Sequence, residues 1–124
     1  MSKKVIIYVV LVFFALSMNV VFSGMVYPPE LNQVSAPYPE ATIVQTTNVS
    51  GTVMVMMEVG DNPDLIFEFY KKELAANGWT ILAEVKQQGN SSLMGEKGSN
   101  NVVVNVGSGQ SGKSMVSLTL APKQ

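Results

Sequence analysis

The eight residues Gly107-Ser108-Gly109-Gln110-Ser111-Gly112-Lys113-Ser114 satisfy the pattern G-x-x-x-x-G-K-[ST] and follow a valine-rich run. In a nucleotide-binding loop such glycines let backbone amides cradle phosphates and the lysine reaches the outer ones, provided that a helix opens at the last residue. Here the next residues, Met115-Val116-Ser117-Leu118-Thr119-Leu120, alternate as a strand. The spacing therefore predicts a flexible hairpin loop and no nucleotide.

Other chemistry is limited by what the chain lacks. It has no histidine and no cysteine, so the commonest general base, the thiolate nucleophile and the usual zinc ligands are missing. Glu58, Asp61, Asp64 and Glu68 crowd a short stretch, but their spacing matches no calcium loop, and capping and dipole complementarity account for Asp61 and Asp64. Met54, Met56 and Met57 share one run, with Met94 and Met115 in others; thioethers bind copper(I), and they also fill irregular apolar space. No enzyme activity, cofactor or metal ligand is expected from these groups.

The elements that must position these residues begin after an exported start. Lys3 and Lys4 precede eighteen uncharged residues, Val5 to Phe22, as in the charged and apolar regions of a secretory signal. Val21-Phe22-Ser23 before Gly24 offers a cut after Ser23; left uncut, the run is long enough to anchor the chain in a bilayer. Residues 1–23 are thus expected to be a signal peptide or membrane anchor, with the rest in the periplasm or on the outer face of the cytoplasmic membrane of a bacterial-type cell. The lack of cysteine excludes a lipid anchor and disulfides, so an apolar core must hold the exported part together. From Gly24 on, six lysines face nine carboxylates with no arginine, a poor surface for nucleic acid.

Four of the six prolines fall between Tyr27 and Pro39, so residues 24–40 read as a semi-rigid spacer, with the part from Pro37 packing along the domain as its entry. The domain itself is expected over 41–121. Thr42 to Thr47 and Thr52 to Val59 alternate as two strands around a turn at Asn48 to Gly51, with Val53, Val55, Met57 and Val59 on one face. Asn62 as N-cap, Pro63 at the first helical position and Gly78 as terminator bound a helix whose apolar stripe reads Ile66, Phe69, Tyr70 and Leu74. Trp79, Ile81, Ala83 and Val85 then alternate with polar neighbours, and Ser92 to Lys97, Asn101 to Val106 and Ser114 to Leu120 complete the strands. The order ββαββββ predicts a two-layer α+β domain: an antiparallel sheet with one amphipathic helix packed on one face.

Pro37-Tyr38-Pro39-Glu40-Ala41, Asp61-x-Pro63 and Phe69-Tyr70-x-x-x-Leu74-x-x-x-Gly78-Trp79 resemble the pattern of small exported bacterial domains, often borne on lipoproteins. The resemblance implies the same fold and location and carries no activity.

A sheet covered by one helix leaves its other face bare. Alternation puts Met54, Met56, Val103 and Met115 on that face, which makes it a candidate contact with an envelope protein or another copy of the chain. The expected function is a non-catalytic binding or assembly module of the bacterial envelope; the alternative is a small-ligand or metal carrier using the methionines or the acidic helix start.

Overall fold

The computed structural model describes residues 25–109 and 112–124; the expected signal peptide or anchor lies outside them. Six strands, β1 (Thr42–Val49), β2 (Thr52–Val59), β3 (Thr80–Gln87), β4 (Asn90–Lys97), β5 (Asn100–Ser108) and β6 (Ser114–Pro122), form one antiparallel sheet in the order β1-β2-β6-β5-β4-β3. The helix α1 (Pro63–Ala76) connects β2 to β3 at the far edge, and the meander β3 to β6 returns to pair β6 with β2. This is the expected α+β architecture.

Local chemistry sets the element ends. Ser50 and Gly51 both have positive φ, 52° and 84°, so a two-residue turn whose twist suits a hairpin joins β1 to β2. The Asn62 side chain accepts from the Leu65 amide at 3.0 Å, with Pro63 next in line. At the other end Gly78 takes φ 85°, its amide donates to Ala75 O at 3.3 Å, and the Trp79 amide donates to Leu74 O at 2.9 Å. That pair of bonds is a Schellman close, and buried Leu74 and Trp79 supply its apolar contact. Ser114 opens a strand antiparallel to β5 rather than a helix, so no helix N-terminus follows Lys113.

The core lies on one face of the sheet. Val53, Val55, Met57 and Val59 of β2 are buried there with Val102, Val104, Val106, Val116, Leu118 and Leu120. Helix α1 lies over β3, β4 and β5. Its buried stripe is Ile66, Phe67, Tyr70 and Leu74, which corrects the expected one: Phe67 replaces Phe69, and Phe69 is only partly buried. The reason is the neighbour. Phe69 turns sideways to meet Tyr38 edge-on, with ring centroids 4.7 Å apart.

The spacer reading of residues 24–40 also gives way for its central part. Pro29–Gln33 form a 3-10 turn, and Leu31 and Val34 are fully buried in the core, as is Tyr38 nearly so. The segment 27–38 is a strap running back along α1. Trp79 Nε1 donates to Gln33 O at 2.9 Å, Asn77 Nδ2 to Val34 O at 3.0 Å, and Ser35 Oγ to Glu73 Oε1 at 3.1 Å. Tyr38 then donates to Asp61 Oδ2 just before the helix. A single 14-residue helix about 21 Å long covers only part of a six-stranded face, and the strap's apolar residues close the remainder.

Candidate functional site

The face opposite α1 is set by register. Pairing places Ala83, Met94, Val103, Thr119, Met54 and Thr47 in one row across all six strands. The next row reads Val85, Ser92, Asn105, Ser117, Met56 and Gln45. Neither row contains a charge. Charged groups stand only in the flanking rows: Glu58 beside Met115 at one border, and Glu96, bonded to Lys123 at 2.9 Å, at the other.

Met54, Met56, Val103 and Met115 therefore share the face expected of them, and all four are half-buried. They do not touch as one cluster along the rows. Thr119 stands between Met54 and Val103, and Met115 lies at the border, where a Cβ added at Gly109 of the β5–β6 loop would come within 3.0 Å of its Cγ. The uncharged band joins the other three, Met54, Met56 and Val103, and leaves Met115 at its border; it includes two exposed residues the sequence pattern did not bring in, Met94 and Val85.

Strand β3 explains the omission. Strict alternation sets Ala83 and Val85 with Trp79 and Ile81, but the pairing register shifts between Ile81 and Ala83. The extra residue, Leu82, flips the remainder of the strand. Ile81 stays on the helix side, opposite Gly95, whereas Ala83 and Val85 turn to the free face. Glu84 and Lys86 turn toward the helix, where Glu84 pairs with Lys71 at 3.2 Å, and Lys86 reaches Asp64 at 3.9 Å and lies 5.0 Å over the Phe67 ring. Because β3 is an edge strand, these charges remain in contact with water, so nothing in their residue types betrays the flip. The other edge strand, β1, carries a bulge at Val44, and bulges at both edges disfavour strand addition there.

Two clefts flank the helix start, and they divide the four clustered carboxylates. Asp64 and Glu68 line the larger, a volume of ≈ 540 Å³ between the first turn of α1 and the β3–β4 hairpin. Glu58 and Asp61 line the smaller, ≈ 240 Å³, together with Glu40 and Lys113. The lysine of the phosphate-loop pattern thus sits among three carboxylates, which repel phosphate. Among the described residues no three of His, Cys, Asp or Glu gather to hold a metal ion.

Under the strap lies a buried group of tyrosines. Tyr27 donates to Ser35 O at 2.7 Å, while the fully buried Tyr70 hydroxyl has no hydrogen-bond partner. Burial first, and then the neighbouring Tyr27, Tyr38 and Glu73, raise the Tyr70 hydroxyl far above the usual range. Burial, followed by the bond to the Asp61 carboxylate, pushes Tyr38 up to about 12. These phenols stay protonated at neutral pH and offer no base.

A family model described as START domain-like matches residues 39–121. The match begins after the strap's last buried residue, Tyr38, and takes in the helix and all six strands except the final residue of β6, Pro122. No curated protein and no solved structure matches the chain.

Proposed function

We propose, from the premise that this chain belongs to the START domain-like family, that it is a non-catalytic binding or assembly module of the bacterial envelope. Its contact is the helix-free sheet face, and the occupant is a second copy of the same face. Membership of that family accords with a binding role. The export reading rests on Lys3, Lys4 and the apolar run from Val5 to Phe22.

The observation that carries the docking role is the absence of charge from the two central rows. A solvated sheet face normally alternates core residues with lysine, glutamate and other polar groups. An uncharged face can also meet a copy of itself without burying unpaired charge, which a charged face cannot. Six strands about 4.8 Å apart and the two uncharged rows about 6.8 Å apart give roughly 400 Å² per copy, the size of a weak, transient contact. The association is accordingly weak and reversible.

Sedimentation equilibrium over about 0.01–1 mM, a range that brackets a weak dimer, tests this. The parent is expected to self-associate, and Met54→Lys with Val103→Lys to remain monomeric with an unchanged circular dichroism spectrum. A parent that is monomeric throughout, or a variant that associates equally, overturns the reading.

A second reading, a small-ligand or metal carrier, is favoured by the larger cleft at the helix start, whose volume is of ligand-binding size. Thermal melting with copper(I) or calcium tests its metal form: a ligand specific to the native state raises the midpoint, and an unchanged melt argues against it.

A further inference from the structure

The strap is tied to the end of α1 by a side chain whose chemistry is not permanent. Asn77 is the one asparagine of the chain that a glycine follows. Its Nδ2 donates both to Val34 O of the strap at 3.0 Å and to Glu73 O at 2.9 Å. We propose that Asn77 is a site of spontaneous deamidation and that its conversion to a carboxylate releases the strap. The site lies on the covered side of the sheet and does not depend on the docking face.

The nucleophile is the Gly78 amide nitrogen. As it gives up its proton to hydroxide it attacks Asn77 Cγ: the N–Cγ bond forms, the Cγ–Nδ2 bond breaks and ammonia leaves, which closes a succinimide ring. Water then opens the ring at one of its two carbonyls, giving aspartate or isoaspartate. Two features favour the attack. Gly78 has no Cβ to crowd the ring. Lys97 Nζ, at the end of β4, donates to Asn77 O at 2.8 Å, the oxygen onto which the charge of the deprotonated Gly78 amide spreads. That lysine pairs with no carboxylate among the described residues, so its charge is left to stabilise the nucleophile.

The docked strap opposes it. Two carbonyls then hold the Asn77 carboxamide, and the Gly78 amide is engaged with Ala75 O at 3.3 Å, so conversion proceeds only when this end of the helix opens locally. Redocking cannot undo the result. An aspartate carries acceptors only, and at position 77 it faces Val34 O and Glu73 O with no proton to share, which leaves the carbonyl of fully buried Val34 without this donor. An isoaspartate instead adds a methylene to the main chain just before Gly78 and Trp79. The Trp79 Nε1 holds the strap's other tie, Gln33 O, at 2.9 Å. Either product loosens the same segment.

Peptide mapping by mass spectrometry of the full chain, aged in mildly alkaline buffer, provides the test. Asn77 is expected to convert ahead of every other asparagine, and in Lys97→Met to convert about threefold more slowly, the scale of one solvent-exposed charge. In Asn77→Asp, amide hydrogen exchange over residues 31–35 is expected to be about tenfold faster, as for the loss of a hydrogen bond, while β2, β5 and β6 exchange as in the parent. The aged parent, partly converted, gives the same comparison within one sample should Asn77→Asp fold poorly. Self-association through the opposite face is expected to be unchanged. An Asn77 that persists while other asparagines convert overturns the proposal, as does a strap equally protected before and after conversion. An equal rate in Lys97→Met overturns the part given to that lysine.

Discussion

On the face of the sheet turned to α1, the β2 residues Val53, Val55, Met57 and Val59 are almost wholly buried; one position along, Thr52, Met54, Met56 and Glu58 are half-open to water. The residue types differ less than the environments. Methionine stands on both sides, fully buried as Met57 and half-exposed as Met56, and what separates them is the cover. Helix and strap together seal one face, whereas the other relies on threonines, serines and short side chains that neither repel nor strongly attract. A covered face draws stability from burial, and an uncovered, uncharged one retains the capacity for contact.

The sharpest way to break this comparison is to truncate one residue on each side. Phe67→Ala should cost about 3–5 kcal/mol, as for other buried aromatics, and Val103→Ala well under 1 kcal/mol, both measured by urea unfolding. Equal costs would mean that the free face is packed too. Leu31→Ala should cost about 2–5 kcal/mol, because it leaves a cavity beneath the strap; a loss below about 0.5 kcal/mol, the range of ordinary surface changes, would return this segment to the role of a spacer.

Alkali should act on the covered face alone. With Tyr38 raised to about 12 when folded and near 10 when unfolded, the unfolded chain loses its proton first, so stability is complete below pH 10 and falls as pH rises toward 12. Tyr27 and Tyr70 are raised as well and steepen the decline. Denaturation curves between pH 9 and 12 should show it, and Tyr38→Phe should flatten them; a parent as stable at pH 12 as at pH 9 would remove the buried phenols from the core.

The smallest effect has the opposite sign. The Tyr70 hydroxyl is buried without a partner, and leaving a polar group so costs about 1–3 kcal/mol, part of which Tyr70→Phe should recover as a higher melting temperature. A destabilised Tyr70→Phe would mean that the hydroxyl is bonded in solution, through a buried water for instance.

Much of the architecture was legible because it obeys short-range rules. Asn62, Pro63 and Gly78 mark the helix ends through capping and a positive φ, and alternation marks β2 and β6, interior strands that pair with each other in regular register and carry no extra residue of their own. The four residues assigned to the free face were legible for the same reason. Val85 and Met94, as members of one uncharged band, were not. Val85 depends on an extra residue at Leu82 that no local pattern announces, and Met94 joins the band only when β4 is paired between β3 and β5. Among the aromatics, Trp79 was placed correctly, while Phe67 and Phe69 exchanged roles because both fall near the edge of the helical stripe and only Tyr38 decides which turns inward.

By itself, then, the sequence determined the kind and order of the elements, the close of the helix and the strand that follows Lys113, since hydrogen bonding and side-chain period act over a few residues. The tertiary structure alone decided which side the end of β3 presents and how the core is shut. Both depend on partners distant in the chain: a register shift is defined only against the neighbouring strand, and Leu31 and Val34 become core residues only when a helix forty residues away leaves them a gap to fill.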